Sequence, residues 1–107
     1  MGAYFRKQTE LILYARKTNA APCLETKRDL IRLHPQRKFH HPAEKPVALW
    51  TALLSGLGTG IVLDPYCGAG STLIAAAKIG RRAIGIEIEE RYCEIAARRL
   101  DQTVLAL

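Results

Sequence analysis

The sequence predicts an α/β fold with a parallel sheet at its core and a β segment near the N-terminus. Three observations carry this reading. Two short apolar runs, residues 61–64 and 82–87, each end in an acid. Between and after them lie stretches with helical apolar spacing. Glycines stand at the joints, at positions 60, 68, 70 and 80. A strand, a helix and a second strand in that order join two parallel strands of one sheet.

The elements follow in chain order. Thr9-Glu10-Leu11-Ile12-Leu13-Tyr14-Ala15 is apolar and flanked by Arg6-Lys7 and Arg16-Lys17, so a strand is expected there. Residues 18–22 read as a turn and residues 29–33 as a short strand. Residues 34–46 contain Pro35, Pro42 and Pro46 and read mostly as loop. Lys45-Pro46 can open a helix, because proline fits the first helical turn. Val47, Leu49, Trp50, Leu53, Leu54 and Leu57 then form its apolar stripe, with Trp50 expected in the core. Gly56, Gly58 and Gly60 end it.

Residues 61–64 read as a buried strand. Residues 71–79 form a helix that is apolar almost all round and is closed by Gly80. Such a helix packs on both sides. Residues 82–87 give the next strand and residues 89–100 an amphipathic helix. Tyr92, Ala96 and Leu100 lie on one face of that helix, with Arg91, Glu94 and Arg98 elsewhere. Glu89 and Glu90 open it and Arg98 and Arg99 close it, as the helix dipole prefers.

The chain has 107 residues, enough for one small domain. No stretch has the length and apolarity of a membrane helix, and no signal peptide opens the chain. Cys23, Cys67 and Cys93 form no Cys-x-x-Cys pair, so neither a disulfide framework nor a zinc site is indicated. A reducing cytoplasm is the compartment this suggests. His34, His40 and His41 have no second cluster at ligand spacing, and no metal is expected. The net charge is +6. Residues 1–38 hold nine Lys/Arg against three Asp/Glu, whereas the rest of the chain balances. A basic third suits a polyanion such as DNA, with Lys27-Arg28 and Arg37-Lys38 as candidate phosphate contacts.

The chemistry concentrates in Val62-Leu63-Asp64-Pro65-Tyr66-Cys67-Gly68-Ala69-Gly70-Ser71-Thr72. An apolar strand ends in an acid, a glycine turn follows, and a helix opens on Ser/Thr. Gly68 and Gly70 let backbone approach a ligand, and the helix-opening amides favour an anionic group. Glu87 closes the second apolar run, about twenty residues further on, where a nucleoside ribose is usually held. A P-loop would need Gly-Lys-Ser/Thr, which is absent. A dinucleotide site wants a small third residue where this chain has Leu73. An S-adenosylmethionine (SAM) site needs only the acid, the turn and the distal acid.

His41-Pro42-Ala43-Glu44-Lys45-Pro46 stands upstream, and Gly85-Ile86-Glu87 followed by Tyr92 downstream. Together with Asp64-Pro65-Tyr66-Cys67-Gly68-Ala69-Gly70-Ser71-Thr72, this order resembles the amino-methylating DNA methyltransferases. Those enzymes modify N6 of adenine or N4 of cytosine, and the Lys-Pro motif before the SAM motif resembles the C-terminal half of their β class. The resemblance covers roughly residues 40 to 101, and residues 4–17 more loosely. It implies a partial Rossmann-like SAM-dependent methyltransferase fold. Residues 1–39 would be a basic β/loop segment of the catalytic half, and residues 40–107 a SAM-binding βαβα subdomain.

The resemblance assigns roles. Asp64 would hold the methionine ammonium, and the amides of Gly68, Ala69 and Gly70 would face the methionine part. Ser71 and Thr72 would cap the helix or touch the ligand. Glu87 would accept the ribose hydroxyls and Ile88 would lie against adenine. Lys45 would neutralise the cofactor carboxylate, Tyr66 would wall the methionine side, and His41 would position the Lys-Pro motif. The family's catalytic Asp/Ser/Asn-Pro-Pro-Tyr/Phe tetrapeptide does not occur in these 107 residues. The chain therefore reads as a fragment, the product of a naturally truncated gene, or one part of a split enzyme, inactive alone. Self-association, or docking onto a chain carrying the catalytic half, would cover its apolar helix. A non-catalytic SAM- or nucleotide-binding unit and an RNA methyltransferase are the competing readings.

Overall fold

Among the described residues, three helices and two strands form where the sequence supplies both a local pattern and a neighbour to pack against. In the computed structural model, residues 9–17, 30–34, 40 and 44–106 are described. The elements are α1 (Val47–Leu54), β1 (Val62–Asp64), α2 (Ser71–Lys78), β2 (Ala83–Gly85) and α3 (Glu90–Ala106). β1 and β2 pair in parallel, with Val62 opposite Ala83, Leu63 opposite Ile84 and Asp64 opposite Gly85. The ladder continues past both strands. Val62 N–H donates to Arg82 O (3.0 Å), Ile86 N–H to Asp64 O (2.9 Å) and Cys67 N–H to Ile86 O (3.0 Å).

α2 packs on the sheet and is flanked by α1 and α3. Ile74, Ala75 and Ala76 are buried, as are Val62 below them and Tyr92 and Ala96 on α3. The expectation that α2 packs on both sides holds. The expectation that it lacks cover does not, because α1 and α3 supply it. Uncovered apolar surface lies instead on the sheet. Leu63 and its partner Ile84 lie on the face away from α2 and are each more than half exposed.

Glycine sets how closely these layers approach. A Cβ on Gly85 would come 2.7 Å from Leu73 Cδ1 and 2.8 Å from Cys67 Sγ. Leu73 is bulky where a dinucleotide site has a small residue, and here β2 provides the room instead. Gly70 has φ +84°, and a Cβ there would meet Ala96 Cβ at 2.9 Å.

Three expectations are corrected. Residues 9–17 have no regular secondary structure, and Leu11 and Leu13 are almost fully exposed. A strand needs a neighbour to accept its hydrogen bonds, and the described sheet pairs only β1 with β2, with residues 9–17 at neither edge. Described residues 30–34 are likewise irregular, and the turn at 18–22 lies outside the described residues. α3 continues to Ala106, so Arg98 and Arg99 sit mid-helix and its last turn has no basic residue.

One joint has no local signal among its residues. The Arg81 guanidinium donates to the carbonyls of Leu54 (3.0 Å), Leu57 (2.8 Å) and Gly60 (2.8 Å). It gathers the C-terminal end of α1 and the turn leading to β1, in place of a capping motif. Arg81→Ala is expected to destabilise the fold by on the order of 1.5–3 kcal/mol, the worth of a charged hydrogen bond. Thermal melting would show it as a drop of roughly 10 °C. An unchanged melting temperature would mean that these bonds merely replace water.

Candidate functional site

Two clefts open at opposite ends of the sheet. One, of about 260 Å³, lies by the amino ends of the strands, between Gly60, Ile61 and Arg81, Arg82. The other, of about 320 Å³, lies at their carboxyl ends. Open α/β sheets bind ligands at carboxyl ends, and the chemistry-bearing side chains gather there as well.

This second cleft is built by the turn after β1. Asp64 Oδ1 accepts the Tyr66 N–H at 3.0 Å, which starts the turn as short acidic side chains do. Cys67 is held to Ile86 O, and Gly70 N–H closes the turn onto Cys67 O at 2.8 Å. Gly68 and Gly70 both have positive φ, and Gly70 is the N-cap residue of α2. Ile74 N–H donates to Gly70 O at 3.0 Å, the first bond of the helix.

Glu87 spans the two strand ends. Its Oε2 accepts the Gly68 N–H (2.9 Å) and its Oε1 the Glu89 N–H (2.9 Å). It fixes the glycine turn from the neighbouring strand while facing the cleft. A carboxylate accepts about four hydrogen bonds, so amides and ligand hydroxyls can share it.

Most of the nominated residues converge. Lys45, Asp64, Tyr66 and Glu87 line the cleft together with Gly68, Ala69, Ser71 and Thr72. Gly70 and Ile88 do not line it. Gly70 faces Ala96, and the Ile88 side chain is almost fully exposed beyond the rim. Ser71 and Thr72 do not cap α2, because Gly70 holds the cap position without a side-chain bond. Both are buried, and Ser71 Oγ donates to Glu44 Oε1 at 3.1 Å. Lys45 Nζ is 2.8 Å from Glu10 Oε2 in a largely exposed pair, so a ligand carboxylate would compete with Glu10 for it.

Sequence reasoning missed three lining residues, Glu44, Trp50 and Cys67. Trp50 was expected in the core, but it is half-buried and forms a wall of the cleft. Its place one turn into α1, just after Lys45-Pro46, is the signal that could have found it. Cys67 lies within the turn. Burial, with the charges of Asp64 and Glu87, pushes its thiol above the ordinary range. It therefore stays protonated and is no thiolate nucleophile.

Glu44 is a sheltered charge at the site. Its side chain is 2% exposed, and Arg99 Nη1 lies 3.0 Å from its Oε1. Burial pushes its carboxyl up. The His40 amide, the Ser71 hydroxyl and the Arg99 charge pull it down further, and the net direction is down. Glu44 is thus ionised and neutralised by Arg99, leaving Asp64 and Glu87 as the acids that face the cleft. A cationic ligand that also carries hydroxyls matches that set.

His41, Lys27-Arg28 and Arg37-Lys38 lie outside the described residues. Among the described residues no cluster of three or more His, Cys, Asp or Glu is arranged to hold a metal ion. No described helix is long and apolar enough to cross a membrane.

Comparison with known proteins gives this geometry relatives. A family model described as DNA methylase matches residues 1–98. The Type II methyltransferase M2.DpnII of Streptococcus pneumoniae is 32% identical over 118 aligned residues, covering 92% of this chain and 44% of that protein. The Type II methyltransferase M.ScaI of Streptomyces caespitosus is 39% identical over 69 residues, 63% of this chain and 23% of that protein. The crystal structure of the M1.HpyAVI–SAM complex superposes with a TM-score of 0.57 at 32% identity, over 72% of this chain and 42% of that one. The chain spans less than half the length of these relatives.

Proposed function

This chain belongs to the N6/N4 DNA methylase family, and from that premise we propose that its carboxyl-end cleft seats SAM as methyl donor for an exocyclic amine of DNA. The observation that carries the proposal is the convergence of Asp64, Gly68 and Ala69 of the turn, and Glu87 on one cleft. The similar M1.HpyAVI structure is a SAM complex, which supports the same ligand here.

In this reading Asp64 takes the methionine ammonium. The Ala69 amide of the turn and Lys45 meet the carboxylate end, and Tyr66 and Trp50 wall the chain between. Glu87 accepts the ribose hydroxyls, and Ile88 offers adenine an apolar ledge beyond the rim. Bound SAM supplies an activated methyl group, whose C–S bond breaks as the bond to an amino nitrogen forms. The chain's residues orient that sulfonium toward the open side of the cleft. The target base must leave the stack to meet it.

DNA would be gripped by the basic N-terminal third. Of its cations Arg16, Lys17 and Arg32 are described, and all three are exposed. The open face at Leu63 and Ile84 supports docking of a chain with the catalytic half, or of a second copy. A reducing cytoplasm, where DNA and SAM are both at hand, suits such a protein. Residues 40–107 would serve as the cofactor unit and residues 1–39 as part of the catalytic half.

The family's acceptor for the amino proton, the Pro-Pro-Tyr/Phe motif, is absent from these residues. We therefore expect this chain alone to bind SAM without transferring its methyl group. The test is transfer of labelled methyl from SAM to mixed-sequence DNA, with and without a polypeptide carrying Asp-Pro-Pro-Tyr from a family member. Label only in the complemented reaction is the expected result. Label from the chain alone would require a base site within these residues.

A further inference from the structure

We propose that Glu44 and Arg99 form a positioning pair that sets the methionine half of the cofactor turn. The inference rests on the SAM reading above and adds a role for residues outside the nominated set. Arg99 Nη1 lies 3.0 Å from Glu44 Oε1 and donates to the Ala69 carbonyl at 2.8 Å. The same Glu44 oxygen accepts the Ser71 hydroxyl, and the other accepts the His40 amide. Three separate parts of the chain meet on this carboxylate: the Lys-Pro segment, the start of α2 and the middle of α3.

The geometry makes the pair more than a tether between α3 and a loop. Ala69 lies at the centre of the glycine turn, between two residues of positive φ. Pinning its carbonyl to Arg99 fixes the peptide plane on that side. The amide of that same peptide, Gly70 N–H, is bonded to Cys67 O at 2.8 Å, and the neighbouring Gly68 amide is held by Glu87, so the turn is anchored on both sides of Ala69. Glu44 also precedes Lys45, so its anchorage sets where the lysine enters the cleft. Both side chains are largely out of solvent, at 2% and 16% exposure, so the contacts are little screened. Arg99 is mid-helix, where its charge has no dipole to complement.

A pair acting on the turn affects the methionine portion of the ligand and leaves the ribose portion to Glu87. The experiment compares SAM with 5′-methylthioadenosine, which lacks the amino-acid chain, by calorimetric titration of four proteins. These are the parent, Arg99→Met, Glu44→Gln/Arg99→Met and Glu87→Ala. Arg99→Met leaves an unpaired buried carboxylate and is expected to melt lower. The double variant removes that charge and keeps an amide partner for His40 and Ser71, so its melting temperature recovers. SAM affinity is expected to fall at least tenfold in both Arg99 variants, with 5′-methylthioadenosine affinity unchanged within twofold. Return of SAM affinity in the double variant, or equal losses for both ligands, would overturn the positioning role. If the parent binds SAM and Glu87→Ala does not, that failure belongs to the pair alone. A parent that binds neither ligand would sink the cofactor reading and the pair with it.

Discussion

Replacing Glu87 with alanine is expected to weaken SAM binding by about two orders of magnitude, more than any change in residues 1–38. Hydrogen bonds from neutral donors to a charged acceptor are worth about 1.5–3 kcal/mol each. A ribose offers two hydroxyls, so a loss on the order of 3 kcal/mol, about 150-fold, is expected. The same change frees the Gly68 and Glu89 amides, which Glu87 now holds, and loosens the turn from β2. Glu87→Gln separates the two effects. An amide side chain can still accept one turn bond but lacks the charge, so binding should fall to an intermediate level. Equilibrium titration of the three proteins with SAM reads all of this.

Gly70→Ala should have the largest effect on the fold. Gly70 has φ +84°, a conformation that costs a residue with a Cβ roughly 1–2 kcal/mol. Its new methyl would also stand 2.9 Å from Ala96 Cβ and 3.3 Å from Ala96 Cα. The Cα belongs to the backbone of α3 and cannot turn aside, so the helix must move. Overpacking of this kind costs about 1–3 kcal/mol more. Together these predict a melting temperature lower by ~10 °C or more. Ala96→Gly in the same protein would relieve the clash but not the dihedral strain, and should recover only part of the loss. Full recovery would mean that the left-handed conformation at Gly70 carries no cost here.

What the sequence made legible follows from how local each signal is. The strand, glycine turn and helix from Val62 to Lys78 were readable because each step is dictated by adjacent residues. The apolar run, the acid, the two glycines and the small-residue helix all say the same thing. The parallel pairing of β1 and β2 followed from the intervening helix. The face of α3 was readable from Tyr92 and Ala96, which are both buried.

The failures are tertiary. Thr9 to Ala15 has strand composition, but a strand exists only where a neighbour accepts its bonds, and composition cannot say whether one is there. Ser71 has a capping residue's chemistry, yet Gly70 takes the cap and Ser71 turns to Glu44, twenty-seven residues upstream. Arg99 was read as complementing a helix end. It binds Glu44 and Ala69 because α3 runs on past it. Arg81 caps α1 from across the sheet. In the last three cases a side chain chose a partner distant in sequence, and no periodicity records that choice.

The central claim is that the carboxyl-end cleft is a SAM seat. Calorimetric titration of the purified chain with SAM tests it most directly, with the Asp64→Asn/Glu87→Gln double variant as the comparison. Both substitutions keep the shape of the cleft and remove the two acids that face it. Saturable binding to the parent at one site per chain, and none detectable in the double variant, is the expected result. Equal affinity in the two proteins, or no binding to the folded parent, would contradict it.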